Sequence, residues 1–123
     1  MSTTAEVANR FVELCRQNKN LQAMEEFYAD DIVAIDARPN MEPETKGKAD
    51  ILATNEYFFT YHNIHSQVVT DPLVQGDEFT IQYTIERTAQ FGPVSGRRMK
   101  VNEKVSYVVK GDKIVQVKTH SSV

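Results

Sequence analysis

The stretch EFYADDIVAID, residues 26–36, marks the point at which the chain changes from helix to strand. Its first residues continue a short helix, which we predict to end at Tyr28. Two acids, Asp30 and Asp31, then favour a turn. Apolar residues follow over residues 32–36 with the alternation of a strand. The chain is therefore expected to fold back on itself here.

The strand ends in a lone carboxylate, Asp36, which shares a strand face with Ile32 and Ala34. That face is predicted to look inward, where a charge is costly unless it has a partner or a chemical role. Two interpretations follow. A proton-transferring Asp36 among apolar walls would have a raised pKa, whereas an Asp36 that binds loop amides or Arg38 would have a lowered one.

Three helices are predicted around this stretch. Thr3 and Glu6 have the spacing of a capping box, which starts a helix near Thr4. Asn20 is expected to cap the second helix, and Gly47 to open the third. The apolar stripe of the first helix comprises Val7, Phe11, Leu14, Cys15 and Asn18.

Strands are predicted for most of the remaining chain. Residues 37–46 read as a loop, and residues 62–74 as a strand interrupted at residues 71–72. Residues 79–87 alternate most clearly, followed by strands at residues 98–109 and 114–121. The inward-facing side chains are expected to be Phe79, Ile81, Tyr83, Ile85, Val101, Glu103, Val105, Tyr107 and Val109.

This order of elements indicates an α+β fold rather than a doubly wound sheet. Three N-terminal helices would pack on a strongly bent, mainly antiparallel sheet, giving a cone with an internal pocket. The 123 residues suit one domain, which we place at residues 1–123.

Composition narrows the functional classes. The formal net charge of −3 does not favour binding to nucleic acid or to an acidic membrane surface. No apolar run is long enough to span a bilayer, and residues 1–10 lack the apolar segment of a secretory signal, so we expect a cytoplasmic protein. The single cysteine, Cys15, lies on the core stripe and is expected to be inert packing.

Four motifs resemble the nuclear transport factor 2-like superfamily, and most closely its SnoaL-like branch. They are VANRF at residues 7–11, FYADD at 27–31, KGK at 46–48 and GDKIV at 111–115. The resemblance implies a cone-shaped, cystatin-like fold, a small-molecule ligand and a homodimer formed through the outer face of the sheet. Because the superfamily contains isomerases, cyclases, hydrolases and non-catalytic modules, membership does not specify a reaction.

The isomerases of this superfamily allow a comparison by position. The resemblance places their catalytic aspartate at Asp36 and their first-helix tyrosine at Phe11, which has no hydroxyl. Their second acid falls at Val105, with Glu103 two residues earlier on the same face, and a supporting tyrosine is replaced by Asn55. These departures argue against steroid isomerisation. The arginine-x-aspartate pair of the related epoxide hydrolases is not found either.

Glu103 is the second candidate acid, and its partner is left open. It could pair with Arg87, because the alternation of the preceding strand predicts that the side chain of Arg87 also faces inward. It could instead face His120, if a two-residue turn at residues 111–112 sets the last hairpin. A one-residue bulge would turn Val117 inward and His120 outward, and the apolar pattern favours this bulge.

The sequence thus supports two functional hypotheses. In the first, a small, largely apolar, carbonyl-bearing molecule binds in the cone, and Asp36 and Glu103 move a proton without a cofactor. In the second, the domain is a non-catalytic ligand-binding or homodimeric module. His62 and His65 are too weak a pattern for a metal site, so none is predicted. The residues expected to contact the ligand are Phe11, Tyr57, Tyr83, Val105, Tyr107 and Val117.

Overall fold

A computed structural model describes residues 3–39, 43–90 and 95–120 of the chain. Its three helices and seven strands form the predicted α+β fold. The helices are α1 (Thr4–Arg16), α2 (Asn20–Phe27) and α3 (Lys48–Tyr61). The strands are β1 (Tyr28–Asp36), β2 (Glu44–Lys46), β3 (His62–Val69), β4 (Leu73–Gln75), β5 (Glu78–Ala89), β6 (Arg98–Lys110) and β7 (Lys113–Thr119).

Helix α1 begins as predicted. The Thr3 hydroxyl accepts a hydrogen bond from the Glu6 amide at 3.1 Å, and the Glu6 carboxylate accepts one from the Thr3 amide at 3.4 Å. This reciprocal box satisfies two amide groups that the first turn of a helix leaves unpaired. The buried face of α1 is formed by Val7, Ala8, Phe11, Val12, Leu14 and Cys15.

Two details at helix α2 differ from the prediction. Asn20 does not cap the helix, because Lys19 occupies the N-cap position. The side-chain amide of Asn20 instead donates to the side-chain oxygen of Gln67 at 2.9 Å. The helix ends at Phe27 and β1 begins directly at Tyr28. The predicted acidic turn is therefore part of the strand, where the pairing with β7 shifts register and leaves both acids exposed.

The sheet has the order β2-β1-β7-β6-β5-β3, and β4 pairs with β5. Strand β1 runs parallel to β7, whereas every other pairing is antiparallel. The predicted break in the second strand is confirmed, since β3 ends at Val69 and β4 begins at Leu73. The prediction of a loop at residues 37–46 was wrong in part, because strand β2 lies within it.

The last hairpin contains the predicted one-residue bulge. Val109 pairs with Ile114, but Val108 pairs with Gln116, so Val115 is the extra residue. As a result, the side chain of Val117 turns inward and is 9% exposed. The bulge thereby decides which face of β7 contributes to the interior.

Phe11 lies at the centre of the hydrophobic core and is fully buried. Its ring centroid is 5.0 Å from that of Tyr107, and 6.2 Å from those of Tyr28 and Phe79. Helix α1, strand β1 and the two long strands of the meander therefore meet on one side chain. None of the helices in the described part of the chain is long and apolar enough to cross a membrane.

Replacing this ring should destabilise the whole fold. We expect Phe11→Ala to lower the free energy of unfolding by about 3–5 kcal/mol, because a large cavity would open where four elements converge. Urea unfolding measures the loss. Arg10→Ala, at the neighbouring exposed position of the same helix, is the control and should change stability by about 0.5 kcal/mol or less. A Phe11→Ala protein as stable as this control would contradict the assignment of Phe11 to the core.

Candidate functional site

A cavity of about 510 Å³ lies between the concave face of the sheet and helices α2 and α3. This volume is in the range of small-molecule sites. Most of the wall is apolar, and the polar side chains that reach it come from eight different elements and the loop after β1. They are Asn20, Asp36, Arg38, Thr45, Thr54, Asn55, Gln67, Arg87, Glu103 and Thr119.

The sheet brings the two predicted acids to the same end of this cavity. Asp36 ends β1 opposite Thr119 of β7, and Thr119 in turn lies opposite Val105 of β6. Glu103 is two residues from Val105 on the same face. Two carboxylates that are far apart in sequence therefore line one pocket.

Arg38 bridges the two acids. Its Nε and Nη2 donate to Asp36 Oδ1 and Oδ2 at 2.9 and 2.6 Å, and its backbone amide donates to Oδ1 at 3.0 Å. Its Nη1 donates to Glu103 Oε1 at 2.9 Å. The three side chains are 17% (Asp36), 25% (Glu103) and 32% (Arg38) exposed, so the group is largely withdrawn from solvent.

This bridge fixes the ionisation state of Asp36. Burial by itself raises the pKa of Asp36, but the hydrogen bonds and the charge of Arg38 outweigh it and hold the pKa below its ordinary value. The raised pKa that a free catalytic base would have is therefore wrong for Asp36. The alternative left open by the sequence, pairing with Arg38, is what the structure contains.

Glu103 pairs with neither of the partners considered from the sequence. Arg87 does not reach it and instead lies over the ring of Phe58. His120 lies on the other face of the sheet. The partner is Arg38, which holds only one carboxylate oxygen. Among the described residues, none donates to Glu103 Oε2, so this oxygen is available to a ligand.

His120 belongs to a cluster on the outer face, as the bulged register of β7 predicts. Its Nε2 is 2.8 Å from the hydroxyl of Ser106, which is 3.0 Å from that of Thr80. Burial, together with the positive charges of Lys104 and Lys118, lowers the pKa of His120. The acid–histidine pair is therefore excluded.

Tyrosine hydroxyls line the floor of the cavity. The hydroxyls of Tyr83 and Tyr107 are 2.7 Å apart, and Cys15 Sγ is 4.0 Å from that of Tyr83. Burial raises the pKa of both tyrosines well above its ordinary value, so they are neutral donors. Burial also raises the pKa of the Cys15 thiol to about 12, in keeping with a packing role.

The predicted ligand contacts are only partly found on the cavity wall. Tyr83, Val105, Tyr107 and Val117 line it. Phe11 does not, because it is enclosed in the core, and Tyr57 does not, because it lies on the solvent side of α3 with 65% of its surface exposed.

Several wall residues were missed. The third helix contributes Thr54, Asn55, Phe58 and Phe59, and its apolar residues do not follow one face clearly enough to predict this. Arg38 was considered only as a neighbour of Asp36. The described residues contain no group of three or more acids, histidines or cysteines arranged to hold a metal ion.

Comparisons with known proteins agree with this architecture. A family model for the SnoaL-like domain matches residues 2–120. A proposed SnoaL-like polyketide cyclase from Mesorhizobium loti is 29% identical, with a TM-score of 0.89 over 97% of this chain and 99% of that one. No curated protein is detectably similar in sequence.

Two more distant structures share the fold alone. A Xanthomonas campestris protein with a cystatin-like fold is 14% identical, with a TM-score of 0.75 over 99% of this chain and 92% of that one. A Catenulispora acidiphila protein with a ketosteroid isomerase-like fold, solved with trimethylamine, is 17% identical. Its TM-score is 0.70 over 98% of this chain and 88% of that one.

The lowered pKa of Asp36 predicts a pH-dependent effect on stability. Ionised Asp36 stabilises the fold above its unfolded pKa of about 3.9, and this contribution is lost as the pH falls through the lower folded value. Asp36→Asn should therefore reduce the free energy of unfolding at pH 7 by about 1–3 kcal/mol. Urea unfolding at a series of pH values should show the deficit shrinking toward acid pH.

The matched control is Asp71→Asn. Asp71 also pairs with an arginine, Arg16, but its side chain is 90% exposed. Such a pair contributes about 0.5 kcal/mol, so this variant should stay close to the wild type at every pH. An Asp36→Asn protein that matches the wild type at pH 7 would show that the bridge does not stabilise the fold.

Proposed function

Since this chain belongs to the SnoaL-like domain family, we propose that its cone binds a small, largely apolar, carbonyl-bearing molecule and moves a proton next to that carbonyl. The observation that carries this proposal is the Asp36–Arg38–Glu103 group on the wall of an otherwise apolar cavity. Proton transfer beside a carbonyl requires an acid–base group and a means of stabilising the oxyanion, and no cofactor.

The geometry favours a division of roles between the acids. Asp36 has both carboxylate oxygens engaged by Arg38 and a lowered pKa, which make it a poor proton acceptor. Glu103 has one oxygen held and one directed to no donor among the described residues. We therefore assign the proton transfer to Glu103, and assign Asp36 the positioning of Arg38.

Stabilisation of the developing oxyanion is assigned to the tyrosine pair. Only one of the two hydroxyls of Tyr83 and Tyr107 can donate within the pair, so the other hydrogen can turn either to Cys15 Sγ or to an oxygen of the ligand. Both rings are buried against the core, which holds the hydroxyls in place before the ligand arrives. The apolar walls would strengthen these interactions by excluding water.

Deuterium exchange of a simple ketone tests this reaction. The probe is 2-tetralone, whose protons next to the carbonyl exchange with D2O at a rate that mass spectrometry can follow. We expect the protein to accelerate this exchange and Glu103→Gln to slow it by about 100-fold or more, because general acid–base groups contribute about 10²–10⁴ to rates. The glutamine keeps an oxygen that can accept from Arg38.

Glu86→Gln is the matched control. Glu86 is also a glutamate of the long strands paired to an arginine, Arg98, but it lies on the opposite face from the cavity. Its replacement should leave the exchange rate unchanged. Exchange that is equally fast with the wild type and with Glu103→Gln would rule out Glu103 as the proton carrier.

A second proposal is supported by the outer face of the sheet. This face carries two apolar side chains, Val68 and Leu73, that are each 63% exposed. They flank uncharged polar residues, among them Thr80 opposite Leu73 and Thr84 opposite Val68. A patch of this composition suits the interface of a homodimer better than contact with water.

Light scattering at micromolar concentration tests the dimer. We expect the mass of a dimer for the wild type and of a monomer for Val68→Lys combined with Leu73→Lys, since charges would be buried against each other at the interface. Tyr57→Lys is the control, because Tyr57 is similarly exposed at 65% but lies on α3. A wild-type monomer would contradict this proposal and leave the exchange result unaffected.

A further inference from the structure

Arg87 is the second cationic side chain of the cavity. It lies on the inward face of β5, half-buried, with its guanidinium carbon 5.0 Å from the centroid of the Phe58 ring. Phe58 is itself fixed, since its ring stacks on that of His62 at 4.3 Å and meets the edge of Phe59 at 5.3 Å. The guanidinium therefore lies over a cluster of aromatic rings at the cavity wall.

Arg87 has no acidic partner in residues 3–39, 43–90 and 95–120. The two carboxylates that share the cavity with it, Asp36 and Glu103, are both held by Arg38. The adjacent acid on its own strand, Glu86, points to the other face and pairs with Arg98. The other ion pairs of the described chain involve residues that do not line the cavity.

Within the part of the chain that the structure describes, this arrangement leaves the N–H groups of Arg87 without an acceptor. A guanidinium remains charged in proteins, and its five N–H groups lie in the plane of the group. The Phe58 ring lies on one side of this group, and no acceptor within residues 3–39, 43–90 and 95–120 engages its N–H groups. A positive charge that is partly removed from water, without a counter-ion, favours an anion in the same cavity.

The chemistry of the surroundings selects the kind of anion. Arg87 supplies one positive charge in a wall that also contains Ile85, Phe58 and Phe59. A carboxylate matches this charge and accepts two parallel hydrogen bonds from the planar fork. A doubly charged phosphate would need further donors or a second cation, and Arg38 is already shared by two acids.

We infer that the ligand carries a single carboxylate that pairs with Arg87, so that the substrate class is a small, largely apolar keto acid. The inference rests on the ligand-binding part of the proposed function. The carboxylate would anchor the molecule above Phe58, while the carbonyl lies between Glu103 and the tyrosine hydroxyls. Arg87 would then be a specificity-determining residue that takes no part in the proton transfer.

Matched pairs of neutral and anionic probes test this inference. The probes are benzoate, 3-phenylpropanoate and 3-benzoylpropanoate, each compared with its primary amide by calorimetric titration. We expect the wild type to bind at least one acid about tenfold or more tightly than the amide of the same shape. Arg87→Gln should abolish this preference, and Arg87→Lys should retain part of it, because lysine keeps the charge but not the planar fork.

Arg98→Gln is the control, since Arg98 lies on the opposite face of the sheet and its loss should not change the preference. Equal binding of acids and amides by the wild type, including no binding of either, would overturn the inference. So would a preference that persists in Arg87→Gln, provided that circular dichroism shows the variant to be folded.

The experiments can reject proton transfer by Glu103 and carboxylate binding by Arg87 independently of each other. The 2-tetralone probe has no carboxylate, so its exchange reports on Glu103 whether or not Arg87 binds an anion. Glu103-dependent exchange without acid preference would reject the keto acid alone. Acid preference without exchange of any ketone would reject the proton transfer and leave the anion site standing.

Discussion

The cavity depends on the hydrogen bonds and ion pairs that the guanidinium of Arg38 makes. This guanidinium joins Asp36 at the end of β1 to Glu103 on β6, two strands that are separated by β7 in the sheet. Without it, two carboxylates would share a poorly solvated pocket and repel each other, and one of them would have to take up a proton. With it, both acids are held by one cation, and they differ in how completely their oxygens are occupied. In the proposed reaction, that difference gives the two acids separate roles.

A second constraint is the division of the interior into an apolar core and a cavity with polar groups on its wall. Phe11 packs against four aromatic rings within the apolar core, so the first helix offers no hydroxyl to the cavity at this position. The hydroxyls come instead from Tyr83 and Tyr107 on the meander, whose rings contact the core and whose oxygens reach the cavity. The position that resembles the first-helix tyrosine of the isomerases is thus filled by packing here. Under the proposed function, the hydroxyl groups are supplied by the sheet.

The elements that could be predicted from sequence are those whose pattern is local. The alternation in β5, the capping box of α1 and the apolar pattern that favours the bulge before Val117 each depend on residues close together in the chain. Strand β2 was missed because three residues directly after a stretch with two prolines carry no pattern of their own and gain their structure from pairing with β1. The Arg38–Glu103 pair was missed because it depends on a loop conformation and on the order of the strands in the sheet. Neither can be predicted from the spacing of residues.

The parallel pairing of β1 with β7 has a consequence for how the molecule is made. Asp36 lies opposite Thr119, so a strand that leaves the ribosome early finds its neighbour only when β7 has been synthesised. Helices and the hairpins of the meander can form from nearby residues, but the closure of the cone requires the least local contact of the sheet. The pocket is therefore expected to be the last part of the molecule to acquire its shape. Until then, the apolar inner face of β1 stays available to chaperones and to non-native partners.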